Sequence, residues 1–237
     1  MEQKRIASLD ILILCGGFGT RLKEAYKDGP KPMVEIHGRP FLDILIQYVS
    51  SFGFRRFILC TGFKSEVVEE YFHNKNDGNT YIISKEPEAL GTGGGIKNAE
   101  PFILGSPFMV LNGDSICRVN LKEFVEFHES RNASASLTLT EINDMKEYGA
   151  VTINNKQEVN GFKEKSTQTI TPGLVNAGVY LFEKKLLSKL AVQRKVSLEH
   201  EVLPFMIGQG IFGFVTEQNL YDIGTPKKLE LLRNHLR

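Results

Sequence analysis

Glycines at positions 16, 17 and 19, a guanidinium at Arg21 and an ammonium at Lys31 fall within one short stretch, L-C-G-G-F-G-T-R-L to G-P-K-P. Glycine lets backbone N–H groups approach a ligand with no Cβ in the way, and two cations close by neutralise an anion. The apolar run before them, Leu9 to Cys15, is short and rich in Ile and Leu, as a buried parallel strand is. A strand leading into a Gly-rich turn with Arg and Lys reads as a phosphate cradle. Two aspartates stand in turn-like settings: Asp114 after Asn112-Gly113, and Asp222 before Ile223-Gly224-Thr225-Pro226. On spacing alone, Asp114 is an ordinary turn residue and Asp222 the N-terminal flank of a last helix.

Spacing narrows the kind of cradle. No G-x-x-x-x-G-K-[ST] occurs, and from Gly17 the sixth position of a dinucleotide fingerprint is Leu22. The formal G-x-G-x-x-G at Gly208 to Gly213 precedes a strand-like FGFVTE instead of opening a helix, so it is a chance match.

The elements that must position these residues follow from periodicity. Pro40 opens a helix whose Phe41, Ile44, Leu45, Tyr48 and Val49 share a face, with Gly53 as its stop. RFILC (56–60) is a second strand, Ser65 caps a helix over SEVVEEYF, and YIIS from Tyr81 is a third strand. FMVLNGD brings Asp114 to the end of a fourth. This β-α-β rhythm predicts a parallel sheet with helices on both faces, and ligands bind beyond the carboxyl ends of such strands. The loops GGFGTR, LGTGGG (90–95) and LNGD therefore converge on one rim. From Tyr148 short strands (YGAVTIN, VNGFKEK, VNAGVYLF) alternate with polar turns, an expected antiparallel lobe over the site. SLEHEVLPFMI is a helix with Ser197 and Glu199 at its start, and Thr225-Pro226 opens the last helix.

The 237 residues suit one α/β domain with a small appended lobe. A formal net charge of +1 gives no electrostatic case for nucleic acid or an anionic membrane. Apolar runs are far shorter than a membrane span, and the N-terminus has no signal-peptide pattern, so a cytoplasmic protein is expected. Cys15, Cys60 and Cys117 are widely spaced beside apolar runs and read as buried hydrophobes, and the scattered histidines form no metal cage.

G-G-x-G-T-R-L followed by P-K-P resembles the N-terminal signature of the sugar-1-phosphate nucleotidyltransferases. The resemblance continues in family order through LGTGGG, LNGD, YGAV (148–151), Glu164-Lys165, NAGVY (176–180) and YDIGTP, nearly the whole chain. Within the family, LCGGFGTRL, PKPM, GRPFLD and LGTGGG together look most like the D-glycero-D-manno-heptose 1-phosphate guanylyltransferases. The implied fold is a Rossmann-like, mostly parallel sheet flanked by helices, the nucleotide-diphospho-sugar transferase fold. It comprises one domain: a nucleotide-binding half over about 9–145, and a sugar-binding half with the C-terminal helix over about 146–237.

The resemblance implies that a sugar 1-phosphate oxygen attacks the α-phosphorus of a nucleoside triphosphate, GTP for this subfamily, and pyrophosphate leaves. The product is a GDP-heptose for surface polysaccharide. Arg21 and Lys31 fall to the triphosphate and the departing pyrophosphate; Asp114 and Asp222 fall to Mg²⁺. Leu14, Gly16, Gly17, Gly19, Thr20, Glu88, Gly91, Thr92, Gly93, Asn112 and Gly113 match nucleotide-contacting positions. Glu164 and Lys165 match the sugar hydroxyl and sugar phosphate contacts; Gly149, Asn176 and Gly178 match further sugar positions. Many relatives read E-P-L-G-T-G where this chain has Glu88-Ala89-Leu90-Gly91, a departure that loosens the loop. Mannose or glucose 1-phosphate with GTP, CTP, UTP or dTTP is the alternative within the family. A glycosyltransferase usually carries D-x-D, which does not occur; a non-catalytic relative would have lost the charges retained at 21, 31, 114, 165 and 222. Whether copies form a homo-oligomer is not legible in the sequence.

Overall fold

A computed structural model describes residues 2–17, 29–143, 145–163, 172–190 and 194–236. The strands are β1 (Asp10–Leu14), β2 (Glu35–Ile36), β3 (Arg39–Pro40), β4 (Arg56–Thr61), β5 (Thr80–Lys85), β6 (Phe108–Asn112) and β7 (Ser115–Cys117). The second half adds β8 (Ala135–Ile142), β9 (Ala150–Ile153), β10 (Val159–Lys163), β11 (Gly173–Phe182), β12 (Ile211–Thr216) and β13 (Leu220–Asp222). Helices are α1 (Glu2–Ser8), α2 (Phe41–Ser51), α3 (Ser65–His73), α4 (Gly91–Asn98), α5 (Leu121–Ser130), α6 (Leu203–Phe205) and α7 (Pro226–His235).

Among the described residues the central sheet has nine strands, with the path β10-β9-β11-β6-β1-β4-β5 and with β8 and β12 joined through β11. β1 lies between β6 and β4, parallel to both, and β5 continues the parallel edge. This is the expected α/β arrangement. Alternation along β1 explains its two-sided burial: Ile11 and Ile13 face one core, Leu12 the other. The first core packs Phe57, Leu59, Met109 and Leu111 against α2, α3, α5 and α7. The second packs Ile58, Val110, Tyr180 and Phe182 against Ile96 of α4 and the Leu198–Met206 segment. Cys15, Cys60 and Cys117 are buried and free, as small core hydrophobes.

The expected antiparallel additions after Tyr148 are present, and they extend the same sheet, with β11 antiparallel beside β6 in its interior. β11 is buried along most of its length, so its apolar run carries no signal of direction. Two expectations are corrected. Ser65 does not cap α3: Lys64, at φ 51°, occupies the cap, and the Ser65 hydroxyl donates to Glu69 (3.0 Å). SLEHEVLPFMI is a wide π-type turn over Leu198–Val202 running into the short α6.

The two ends of the sheet differ in chemistry. At the amino end of β1 the fully buried Asp10 pairs with Arg56 and accepts from the amides of Leu104 (2.6 Å) and Gly105 (3.1 Å). Those bonds tie down a loop. The carboxyl ends of β1 and β6 open instead onto a cavity.

Candidate active site

A cavity of about 430 Å³ lies beyond β1 and β6, lined by Leu14, Gly16, Gly17, Asn112, Gly113 and Asp114, with Glu86, Gly91 and Thr92 opposite. Asp114 is an expected metal ligand, and the others except Glu86 are among the expected nucleotide contacts. Gly113 is required by packing: its amide donates to the Leu14 carbonyl (3.0 Å), and a Cβ there would lie 2.5 Å from that oxygen. The Asn112 Oδ1 is a buried acceptor with no partner among the described residues. Gly19, Thr20 and Arg21 lie outside the described residues, as do Glu164 and Lys165.

The glycines of α4 answer to a different neighbour. The Gly93 and Gly94 amides donate to the Val196 carbonyl (2.9 and 3.3 Å), and Val196 N donates to Leu90 O (2.8 Å). Gly91 sits at φ +72°, and a Cβ there would lie 2.6 Å from the Val196 oxygen. Gly91 and Thr92 still reach the cavity wall, whereas Gly93 faces Val196 and Val202.

Glu88 is exposed, and the carboxylate at the cavity is Glu86. Its Oε2 accepts from Leu90 N (3.1 Å), while Oε1 fills the space a side chain at Gly16 or Gly95 would need. Burial pushes its pKa up, partly offset by the Leu90 amide. Sequence reasoning passed over it because Glu86 and Glu88 bracket one proline and differ only in which way the chain turns them.

Lys31 stands on a short 3₁₀ turn between Pro30 and Pro32, and its Nζ meets Asp114 Oδ2 at 2.5 Å. Asp222 arrives by an element the sequence did not announce, the two-stranded ribbon of β7 and β13, which pairs it with Ser115. Ile223 N donates to the Asp114 carbonyl (3.0 Å), so the two aspartates are neighbours across the ribbon. Asp222 Oδ1 accepts from Gly224 N (2.8 Å), and Oδ2 from Lys228 (2.8 Å) and the Tyr148 hydroxyl (3.2 Å). Burial alone would raise the Asp222 pKa; the Lys228 and Gly224 hydrogen bonds outweigh it and hold the carboxyl below its usual range. Lys228 also meets Glu147 (2.7 Å), and its pKa is raised: burial works against the charge, and Asp222 and Glu147 overcome it.

The carboxylates suit a hard divalent cation such as Mg²⁺, which is usually held by one or two carboxylates with substrate phosphates and water. Each already carries an ammonium, Lys31 on one and Lys228 on the other, so the fold draws positive charge to this place. Among the described residues no group of three or more His, Cys, Asp or Glu could hold a metal without a substrate's help.

A second cavity of about 340 Å³ is lined by Gly149, Val151, Phe162, Asn176, His200 and Leu203, among others. Gly149 and Asn176 are expected sugar positions; Gly178 turns instead toward Asn112 and Ser115. Glu199 borders both cavities. Asp114 is on the wall of the first, and Asp222 is bonded to Tyr148, next in the chain to Gly149 of the second.

The fold and this rim define the class, and residues 11–236 match the family model described as nucleotidyl transferase. The chain belongs to that family. It is 38% identical over 219 residues to a D-glycero-alpha-D-manno-heptose 1-phosphate guanylyltransferase of Campylobacter jejuni, covering 92% of this chain and 96% of that one. It is 34% identical to a mannose-1-phosphate guanylyltransferase of Mycobacterium tuberculosis, matching 92% of this chain but only 62% of that longer protein. Among solved structures it resembles HddC of Yersinia pseudotuberculosis, with TM-score 0.86, 33% identity and coverage of 97% of this chain and all of that one. HddC has also been solved as a complex with GMP-PN, and that structure matches with TM-score 0.84. No helix among the described residues is long and apolar enough to cross a membrane.

Proposed function

We propose that this protein transfers GMP from GTP to D-glycero-alpha-D-manno-heptose 1-phosphate, releasing pyrophosphate and forming a GDP-heptose. The observation that supports the transfer is that Asp114 lines one cavity while Asp222, its neighbour across the ribbon, is bonded to Tyr148 beside Gly149 of the other, with Glu199 on the wall of both. A phosphate oxygen of the sugar phosphate attacks the α-phosphorus, and pyrophosphate departs on the opposite side. Such displacements depend on positioning and charge neutralisation more than on covalent help. Lys31, with Arg21, neutralises the triphosphate and the leaving group. Asp114 and Asp222 would hold Mg²⁺, whose chemistry when bound is to neutralise phosphate oxygens. Lys165 meets the sugar's phosphate and Glu164 its hydroxyls.

Guanine is supported by Glu86. A carboxylate cannot serve a phosphate, but its two oxygens match the paired N1–H and 2-amino donors of guanine. Uracil and thymine offer one ring N–H on that edge. The name of the Campylobacter relative supports the heptose. Mannose 1-phosphate is a second reading, favoured by the Mycobacterium relative; one extra carbon in a pocket is worth only roughly 1–3 kcal/mol of discrimination. A nucleoside triphosphate substrate supports a cytoplasmic location for the reaction.

The test crosses GTP, CTP, UTP and dTTP with heptose, mannose and glucose 1-phosphates while following pyrophosphate. The expected optimum is GTP with the manno-heptose. Preference for UTP, CTP or dTTP, or for glucose 1-phosphate, contradicts this reading.

A further inference from the structure

Glu199 plays no part in the chemistry described so far, yet among the described residues it lines both cavities. Its place is fixed from two sides. The Thr92 hydroxyl donates to Glu199 Oε2 (3.0 Å) while accepting from Leu198 N (2.7 Å), and the Ser197 hydroxyl lies 3.4 Å from the same oxygen. Ser197 in turn accepts from His200 N (3.1 Å), which sets the turn that carries the side chain. The segment is locked onto α4 by the Val196 contacts, so the carboxylate is held where the two substrates would meet.

A carboxylate at this junction repels phosphate oxygens, and with the guanine N–H donors assigned to Glu86 the partners left to it on either substrate are hydroxyl groups. We infer that Glu199 is a specificity-determining hydroxyl acceptor, taking a hydrogen bond from the acceptor sugar or from the ribose as the two are brought together. The inference rests on the reading of the cavities as nucleotide and sugar sites. Thr92 and Ser197 engage one oxygen from the protein side, which orients the other carboxylate oxygen for a substrate. A hydroxyl bonded to a charged acceptor is a strong handle, so its loss is large enough to measure.

The test is a cycle between residue and substrate. Glu199→Gln keeps the shape and an acceptor for Thr92 while removing the charge. Wild type and variant are assayed with the parent substrates, with a deoxy series of the sugar 1-phosphate, and with 2′- and 3′-deoxy-GTP. Loss of a hydrogen bond to a charged group predicts that kcat/KM falls roughly ten- to a hundredfold with the parent pair. One deoxy substrate, slow with wild type, should then lose little more in the variant. If that substrate is a deoxy-sugar, the bond is to the acceptor; if it is a deoxyribonucleotide, the bond is to the ribose. Losses that simply multiply for every deoxy substrate overturn the inference, because a purely structural carboxylate would behave so. Should Glu199→Gln melt far below wild type, the same cycle with Glu199→Asp, which withdraws the charge by one methylene, decides the matter by the same criterion. An inactive wild type, or one preferring UTP, would fault the reading of the cavities instead, so the two failures are distinct.

Discussion

Asp114 and Asp222 meet across the β7–β13 ribbon, with the amide of Ile223 bonded to the carbonyl of Asp114 at 3.0 Å. Lys31 binds the first carboxylate, and its Nζ lies 3.7 Å from where a Cβ on Gly224 would stand, two residues beyond the second. Residues far apart in the chain thus form one acidic centre with its own ammonium.

If both aspartates serve one Mg²⁺, Asp114→Asn and Asp222→Asn should each lower kcat about 10²–10³-fold, the usual cost of one preorganised electrostatic group. The double variant should be little worse than the poorer single one. Mn²⁺ binding followed by electron paramagnetic resonance should weaken in both. Multiplicative losses with undiminished Mn²⁺ binding would separate the two residues.

Lys31 and Lys165 should fail differently. Lys31→Ala should raise the KM for GTP and slow pyrophosphate departure, with the sugar phosphate KM little changed. Lys165→Ala should do the reverse. Steady-state kinetics with each substrate varied in turn would show it, and identical effects would contradict the assignment.

Glu86→Gln should uncouple recognition from stability. Wild type should prefer GTP to ITP, which lacks the 2-amino group, and the variant should lose most of that preference. The folded state raises the Glu86 pKa, so it binds this proton more tightly than the unfolded chain does. Its contribution therefore becomes unfavourable as pH rises from the unfolded value of about 4.3 through the folded one. The glutamine cannot ionise, so its melting temperature at pH 7 should equal or exceed that of wild type. A large fall in melting, or an unchanged GTP/ITP ratio, would contradict this role.

Lys228→Met removes the common partner of Asp222, Glu147 and Tyr148. Because the folded pKa of Asp222 is held low, its stabilisation is present above the unfolded value of about 3.9 and is lost as pH falls through the folded one. Denaturant unfolding at pH 7 should show a loss of about 1.5–3 kcal/mol, the range for a hydrogen bond to a charged group. The difference should shrink under acid conditions. Equal stability at pH 7 would mean that Lys228 is an ordinary surface cation.

Much of this was legible in the sequence. The parallel strands announce themselves because both faces are buried, leaving runs such as DILIL and RFILC. The rim carries the expected Gly16, Gly17, Asn112, Gly113 and Asp114 because glycine and turn chemistry are local. What stayed hidden is tertiary. The ribbon strands are three residues each, too short for a periodic pattern, yet they alone bring Asp222 to Asp114. In the triple glycine of α4, Gly93 and Gly94 face the 194–196 segment, distant in sequence, and Gly95 faces Glu86, contacts that no local pattern announces.

The central claim is that an oxygen of the sugar 1-phosphate becomes bonded to the α-phosphorus of GTP while pyrophosphate leaves. It is tested by labelling the phosphate oxygens of manno-heptose 1-phosphate with ¹⁸O and analysing the products by mass spectrometry and ³¹P NMR. All of the label should be found in GDP-heptose, including the oxygen bridging its two phosphorus atoms, with unlabelled pyrophosphate formed in equal amount. Label in pyrophosphate or orthophosphate, or GTP consumed without a GDP-sugar, would contradict the account.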